Sequence, residues 1–275
     1  MAAQKRSIIP MIDVNYKNFS PAERKIADFF INNEDNDIDL SARAITERLY
    51  VSEATLSRFA KKSGFNGYRE LAFAYKNQEK KKHASMTNIT KGVLSIYEDL
   101  LDKEYELVDE AQLDRIIGYI NTHDRIFVGG KGSSGIAAEE MELRFMRIGI
   151  NIDSIAYTDR MRIQTVFMDA RCLVIGFSIS GSTEDVLYML KAAHQNGAKT
   201  MLVTAYSQEE FRDYCDEIIL VPSYQHMDYG NTISPQFPLL VWQDIIYTKY
   251  MQCNPLLRES LHDNTLRALR KELAK

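Results

Sequence analysis

Four hydroxyls fall within six residues of the stretch Gly176-Phe-Ser-Ile-Ser-Gly-Ser-Thr-Glu-Asp185: Ser178, Ser180, Ser182 and Thr183. A short apolar run, residues 172–175, precedes them, as in a buried parallel strand. Val186, Leu187, Leu190 and Ala193 follow at helical spacing, and Gly197 stands where such a helix would stop. The stretch therefore reads as a strand-to-helix turn. A helix start carries backbone N–H groups without partners and the positive end of the macrodipole, so it attracts anions. Hydroxyls add donors, and Gly181 lets backbone come close. No Lys or Arg lies in the turn. A phosphate bound there would be held mainly by neutral dipoles. Helix capping is the competing explanation, but one cap needs one hydroxyl and four are present.

A second turn of related make-up occurs earlier. The strand-like residues 125–128 lead into Gly129-Gly-Lys-Gly-Ser-Ser-Gly135 and then into a helix containing Met141, Phe145 and Ile148. Its backbone N–H groups, with Ser133 or Ser134 and Lys131 nearby, could cradle part of a small anion. The glycine spacing is not that of a dinucleotide fingerprint.

The elements around these turns alternate. Further strands are expected near residues 151–157, 200–204 and 217–221, with helices between them. This implies a parallel sheet of five strands with helices on both faces, and ligands at the carboxyl ends of the strands. A helix over residues 239–251 and a terminal one carrying Leu257, Leu261, Leu266 and Leu269 would close the domain and suit contacts between copies.

The first 80 or so residues have a different character. Residues 1–82 hold 15 Lys and Arg against 11 Asp and Glu, while the remainder holds 19 against 27. A basic front on an acidic body points to a polyanion met by the front alone. Ser20-Pro-Ala-Glu23 has the form of a capping box and opens the first clear helix. Ser41 caps a second. After a short turn at Tyr50-Val51, Ser52 caps a third, in which Leu56, Phe59 and Ala60 share one side. Ala54, Arg58, Lys61 and Lys62 fall opposite, flanked by Thr55 and Ser57. The pattern is that of a helix-turn-helix. Ser52, Ala54, Thr55 and Arg58 would meet base edges, with Lys61 and Lys62 on phosphates. The polar residues 79–88 read as a linker, followed by an amphipathic helix with Val93, Ile96, Tyr97, Leu100 and Leu101 inward. The expected division is 1–80, 81–105 and 106–275.

Three motifs of the front segment resemble one family: Phe19-Ser-Pro-Ala-Glu-Arg-Lys-Ile-Ala-Asp28, Val51-Ser-Glu-Ala-Thr-Leu-Ser-Arg-Phe59 and Lys62-Ser-Gly-Phe-Asn-Gly-Tyr-Arg-Glu-Leu71. They are similar to the N-terminal domain of RpiR-type bacterial transcriptional regulators, and imply that residues 52–62 form the recognition helix. Residues 107–253 resemble the SIS (sugar isomerase) domain, the usual partner of that front domain, with a flavodoxin-like sandwich. The match centres on Gly130-Lys-Gly-Ser-Ser134 and Gly176-Phe-Ser-Ile-Ser-Gly-Ser-Thr-Glu184. The resemblance implies that Ser178, Ser180 and Thr183, with the Ile179 and Gly181 backbone, hold the phosphate of a sugar phosphate. Ser134 would contact the sugar or its phosphate, and Ser182 falls at a position that varies in the family. One region departs from the pattern. Where the family carries Ser-Arg and an unbroken helix, this chain has Asn231-Thr-Ile-Ser-Pro-Gln-Phe-Pro238, preceded by Tyr224, His226, Asp228 and Tyr229.

The expected function is a regulator of carbohydrate genes that binds a double-stranded DNA operator, with its affinity tuned by a sugar-phosphate effector. It would act as a dimer or tetramer. Cys172, Cys215 and Cys253 are odd in number and widely separated, so neither disulfide, metal nor cofactor is expected. No run approaches a membrane span and no signal-peptide core follows Met1, which reads as cytoplasmic. The rival is an aldose–ketose isomerase. It would need a positioned base, for which Glu184, Glu139 and His226 are the candidates, without a convincing acid–base pair among them.

Overall fold

The computed structural model describes residues 8–33, 38–76, 87–223 and 232–271. The chain divides into two compact units, Met1–Thr87 and Asn88–Lys275. Among the described residues the front unit is all helical: α1 (Ile8–Asn15), α2 (Pro21–Asn32), α3 (Ala42–Leu49), α4 (Glu53–Lys62) and α5 (Tyr68–Lys76). Its starts are written in local chemistry. Ser20 accepts from the Glu23 amide while Glu23 accepts from the Ser20 amide at 2.8 Å, and Pro21 occupies the first turn of α2. Ser41 and Ser52 cap α3 and α4 through the amides of Ala44 and Thr55. The residues inside are aromatic and branched. Phe30 stacks on Phe59 with centroids 6.1 Å apart, and Ile26, Ile45, Leu56 and Leu71 are fully or nearly fully buried around them. Helix α1, not expected from the sequence, adds Ile8 and Ile12 to this core.

The rear unit begins with α6 (Asn88–Leu107) and α7 (Glu110–Thr122). There follow β1 (Arg125–Gly130), α8 (Ser133–Met146), β2 (Ile152–Ile155), α9 (Thr158–Gln164) with a 3-10 turn at Thr165–Phe167, β3 (Cys172–Phe177), α10 (Glu184–Gln195), β4 (Lys199–Thr204) and β5 (Glu217–Leu220). Two helices end it, α11 (Phe237–Cys253) and α12 (Pro255–Leu269). The five strands are parallel and ordered β2-β1-β3-β4-β5. Alternate strand residues feed two cores. Ile126, Val128, Leu173 and Ile175 pack under α7, α8 and α11, while Phe127, Val174 and Leu202 pack under α9 and α10.

That strand order contains one reversal. After β1 the chain crosses to β2 on one side, then returns to place β3 on the other. Helix α8, which follows β1, lies on one face, and α10, which follows β3, on the opposite face. Neighbouring crossovers that go opposite ways leave a crevice at the carboxyl ends of the two strands. The two strands end level, with Gly129 beside Gly176 and Gly130 beside Phe177. Both sequence-marked turns therefore leave the same edge of the sheet side by side.

The departing segment near residue 231 is described from residue 232. There Ile233 is buried against Ile96 and Leu100 of α6, Phe237 meets the Tyr97 ring edge-on at 4.6 Å, and Pro238 sits in the first turn of α11. This part of the segment seats α6. Tyr224, His226, Asp228, Tyr229, Asn231 and most of the expected linker lie outside the described residues.

Candidate ligand crevice and nucleic-acid interface

The β3–α10 turn is built by hydroxyls bonding one another in two pairs. Ser178 is 1% exposed, and its Oγ donates to Thr183 Oγ1 at 2.8 Å while accepting the Thr183 amide at 3.3 Å. Ser180 is half-buried, and its Oγ accepts from both the amide (3.3 Å) and the hydroxyl (2.9 Å) of Ser182. Gly181 has φ of +64°, a left-handed conformation that strains other residues. A Cβ there would also press on Thr204 Oγ1 at 3.1 Å and Phe211 Cζ at 3.2 Å. The Ile179 carbonyl is fixed by the Ala205 amide at 3.0 Å. The corner is thus rigid on its inner side, with Ser180, Ser182 and Thr183 toward the outside. Ser178 is the exception among the expected contacts: burial and its two bonds to Thr183 make it the internal brace of the turn.

In the β1–α8 turn, Gly130 allows a close approach. A Cβ there would lie 2.4 Å from the Ser134 carbonyl oxygen, so the chain doubles back on itself before α8. Ser133 and Ser134, both half-buried, begin α8 with no side-chain cap beneath them.

Lys131 is not free beside its turn. Its Nζ donates to Thr158 Oγ1 at 2.5 Å and to Asp185 Oδ2 at 3.0 Å. Thr158 donates to the same carboxylate at 2.7 Å, and Arg162 reaches its other oxygen at 3.3 Å. Hydrogen bonds from Thr158 and Lys131 hold the Asp185 carboxyl below the usual carboxylate range. One acid in the first turn of α10 therefore ties together three chain segments at the carboxyl edge. It also brings a cation to the start of α10, although the serine turn contains none. Asp185, Thr158 and Arg162 were missed by sequence reasoning. A cavity of about 650 Å³, lined by Arg125, Phe127, Tyr157 and Phe167 among others, lies beside α9 and includes no residue of either turn. Glu139 and Glu184 are both exposed, on α8 and in the first turn of α10.

In the front unit, α3 and α4 are joined by Tyr50 in the left-handed region, φ 53°, which makes the turn tight. Ser52, Ala54, Arg58 and Lys61 are exposed on α4 and Ser57 is half-buried. Two expected DNA contacts are placed otherwise. Thr55 is 7% exposed, its hydroxyl lying between Ser52 and Arg58 at 2.8 and 3.2 Å. Lys62 turns back to α2, donating to the Asn18 carbonyl at 3.1 Å and to the buried Glu23 at 2.7 Å. Burial raises the Glu23 pKa, but bonds from Lys62 and Ser20 outweigh it and leave the carboxyl below its ordinary value. Lys62→Met should leave that carboxylate short of its charged donor. It should lower front-unit stability by about 1–2 kcal/mol, less than a fully buried hydrogen bond to a charged group because Lys62 is 42% exposed to screening solvent. The check is helical CD during urea unfolding, and the salt dependence of DNA binding should change little.

Residues 7–82 match the helix-turn-helix domain of the rpiR family, and residues 119–243 match the SIS domain. An uncharacterized HTH-type transcriptional regulator of Haemophilus influenzae is 26% identical, covering 99% of this chain and 100% of that one. Among solved structures, the NanR protein of Vibrio vulnificus complexed with ManNAc-6P superposes with a TM-score of 0.62 at 19% identity, covering 98% of this chain and 100% of that one. The sugar isomerase domain of an RpiR transcription factor from Sphaerobacter thermophilus gives 0.60 at 17% identity, covering 66% and 99%. At these identities the superpositions show the fold. Among the described residues, no helix is long and apolar enough to cross a membrane.

Proposed function

The chain is a transcriptional regulator that joins an RpiR-family helix-turn-helix domain to a SIS domain, and on that premise we propose that the rear domain binds a phosphorylated sugar and thereby changes operator affinity in the front domain. The observation that carries this reading is the pairing of the two turns at the one reversal of the sheet, where open α/β folds hold their ligands. The phosphoryl group sits before α10, taking the hydroxyl donors of Ser180 and Thr183, with the Ile179 and Gly181 backbone behind. Ser178 keeps Thr183 in place. The α8 start, with Ser133 and Ser134, faces the sugar. Lys131 supplies positive charge at the rim, shared with Asp185.

The mutual bonds of the hydroxyls are compatible with this role, because each hydroxyl can turn its proton from a neighbour to an anion. That the NanR structure was obtained with ManNAc-6P supports a phosphosugar as the ligand class. Regulation follows if the ligand favours one arrangement of two DNA-binding units over another. Two copies of the chain supply two recognition helices to paired half-sites. The genes controlled are then those for handling the same sugar.

The test is a panel of hexose, pentose and amino-sugar phosphates screened by thermal shift and then by gel-shift titration. A ligand that binds only the folded state raises the melting point, by an amount that grows with its concentration. The expected result is one phosphosugar that stabilises the protein and moves its DNA affinity, with the unphosphorylated sugar inactive. Stabilisation by none of them, or interconversion of an aldose and ketose phosphate, would overturn the reading.

A further inference from the structure

The start of α4 contains a chain of hydrogen bonds. Arg58 Nη2 donates to Thr55 Oγ1 at 3.2 Å, and Thr55 Oγ1 lies 2.8 Å from Ser52 Oγ, which also accepts the Thr55 amide at 3.2 Å. A guanidinium only donates, so Thr55 accepts from Arg58, and within the Thr55–Ser52 pair either hydroxyl can donate to the other. Arg58 meanwhile keeps four of its five N–H groups, and it makes no ion pair among the described residues. Thr55 itself is 7% exposed, too buried to touch a base, whereas Ser52 and Arg58 are exposed.

We propose that Thr55 is a positioning residue for sequence recognition: its hydroxyl, held against the Ser52 cap, fixes the Arg58 fork for the O6/N7 edge of one guanine in the major groove. This rests on the DNA-binding reading of the front unit. An arginine free to swing contacts any phosphate within reach. One tethered at Nη2 loses less rotamer freedom when its remaining N–H groups engage a base edge. The relay thus serves discrimination more than bulk affinity, because phosphate contacts position the protein without reading sequence.

The experiment uses the full chain and a pool of DNA duplexes with about 20 random base pairs, selected by binding and sequenced. The parent chain should enrich a motif, and Arg58→Ala should erase the preference at one G·C pair per half-site. Thr55→Val keeps the shape and loses the hydroxyl. It should reduce the preference for that same pair roughly tenfold, with affinity for random duplex and its salt slope unchanged. Thr55→Ser should restore the preference. Two results would overturn the proposal: Thr55→Val retaining the parent's preference at the Arg58-dependent pair, or losing affinity for motif and random duplex alike, as a mere cap would. A parent chain that enriches no sequence would instead remove the DNA-binding reading on which it stands.

Discussion

Ser180→Leu should bind the active phosphosugar at least about 100-fold more weakly than the parent chain while keeping its DNA affinity. A hundredfold is about 2.7 kcal/mol, within what one lost charge-assisted contact and a steric block supply together. The geometry says why the leucine has nowhere harmless to go. Behind the neighbouring Gly181 the corner is filled by Thr204 and Phe211, close enough that even a Cβ would be crowded. The new side chain would stand where Ser180 Oγ now meets Ser182, on the outer side of the corner. It also removes the oxygen that accepts the Ser182 amide and hydroxyl. Ser182→Ala is the comparator: Ser182 is exposed, its side chain bonds only Ser180 among the described residues, and its loss should cost less than about fivefold, the scale of one neutral hydrogen bond. Both variants should unfold near the parent temperature, followed by the single tryptophan, Trp242, which lies edge-on to Phe177 just before the corner. A ligand-dependent shift in DNA affinity of parent size in Ser180→Leu would place the effector elsewhere.

The parts of this design that were legible in the sequence are those whose partners are close along the chain. Ser20 and Glu23 cap α2 from three residues apart, and the same is true of Ser52 and Thr55 at α4. The serine corner could be found because all its hydroxyls lie in one turn. The parallel sheet was visible because each strand is a short apolar run followed by a helix, a pattern that local periodicity records. The parts that were hidden join distant segments. Lys131 meets Thr158 and Asp185 across 27 and 54 residues, so the cation at the start of α10 could not be read from that turn. Lys62 falls on the outer face of α4 by helical periodicity, but its long stem reaches back 39 residues to a buried carboxylate. Thr55 flanks the same outer face on a wheel. At the first turn of a helix, however, a threonine hydroxyl competes for local partners, and here Ser52 and Arg58 draw it in. Wheels give the direction of the Cβ, and polar tips go where their partners are.

Glu104 provides a second large effect, of opposite character, since it is a cost built into the rear unit. It follows Ile96 and Leu100 on the inward face of α6 and is 6% exposed, and its Oε2 has no hydrogen-bond partner among the described residues. Burial alone pushes its pKa from the ordinary 4.5 up to about 7. The folded chain therefore holds a proton that the unfolded chain has released between these two values. With respect to this group, stability is full below about pH 4.5, falls as pH rises toward 7, and stays low above it. The loss is about 3 kcal/mol, from roughly 2.5 pKa units at 1.36 kcal/mol each. Glu104→Gln cannot ionise. It should match the parent near pH 5 and exceed it by about 2–3 kcal/mol at pH 8, measured by urea unfolding followed through Trp242 fluorescence, which reports the rear unit alone. Carboxylates held low by their partners, such as Glu217 bonded to Arg115 and Gln112, lose their contribution at lower pH and leave this window to Glu104. Parallel pH profiles for the two proteins would show that the carboxyl is already solvated or paired. A variant flat from pH 5 to 8 beside a falling parent would establish α6 as a helix whose seat on the rear unit weakens as Glu104 ionises.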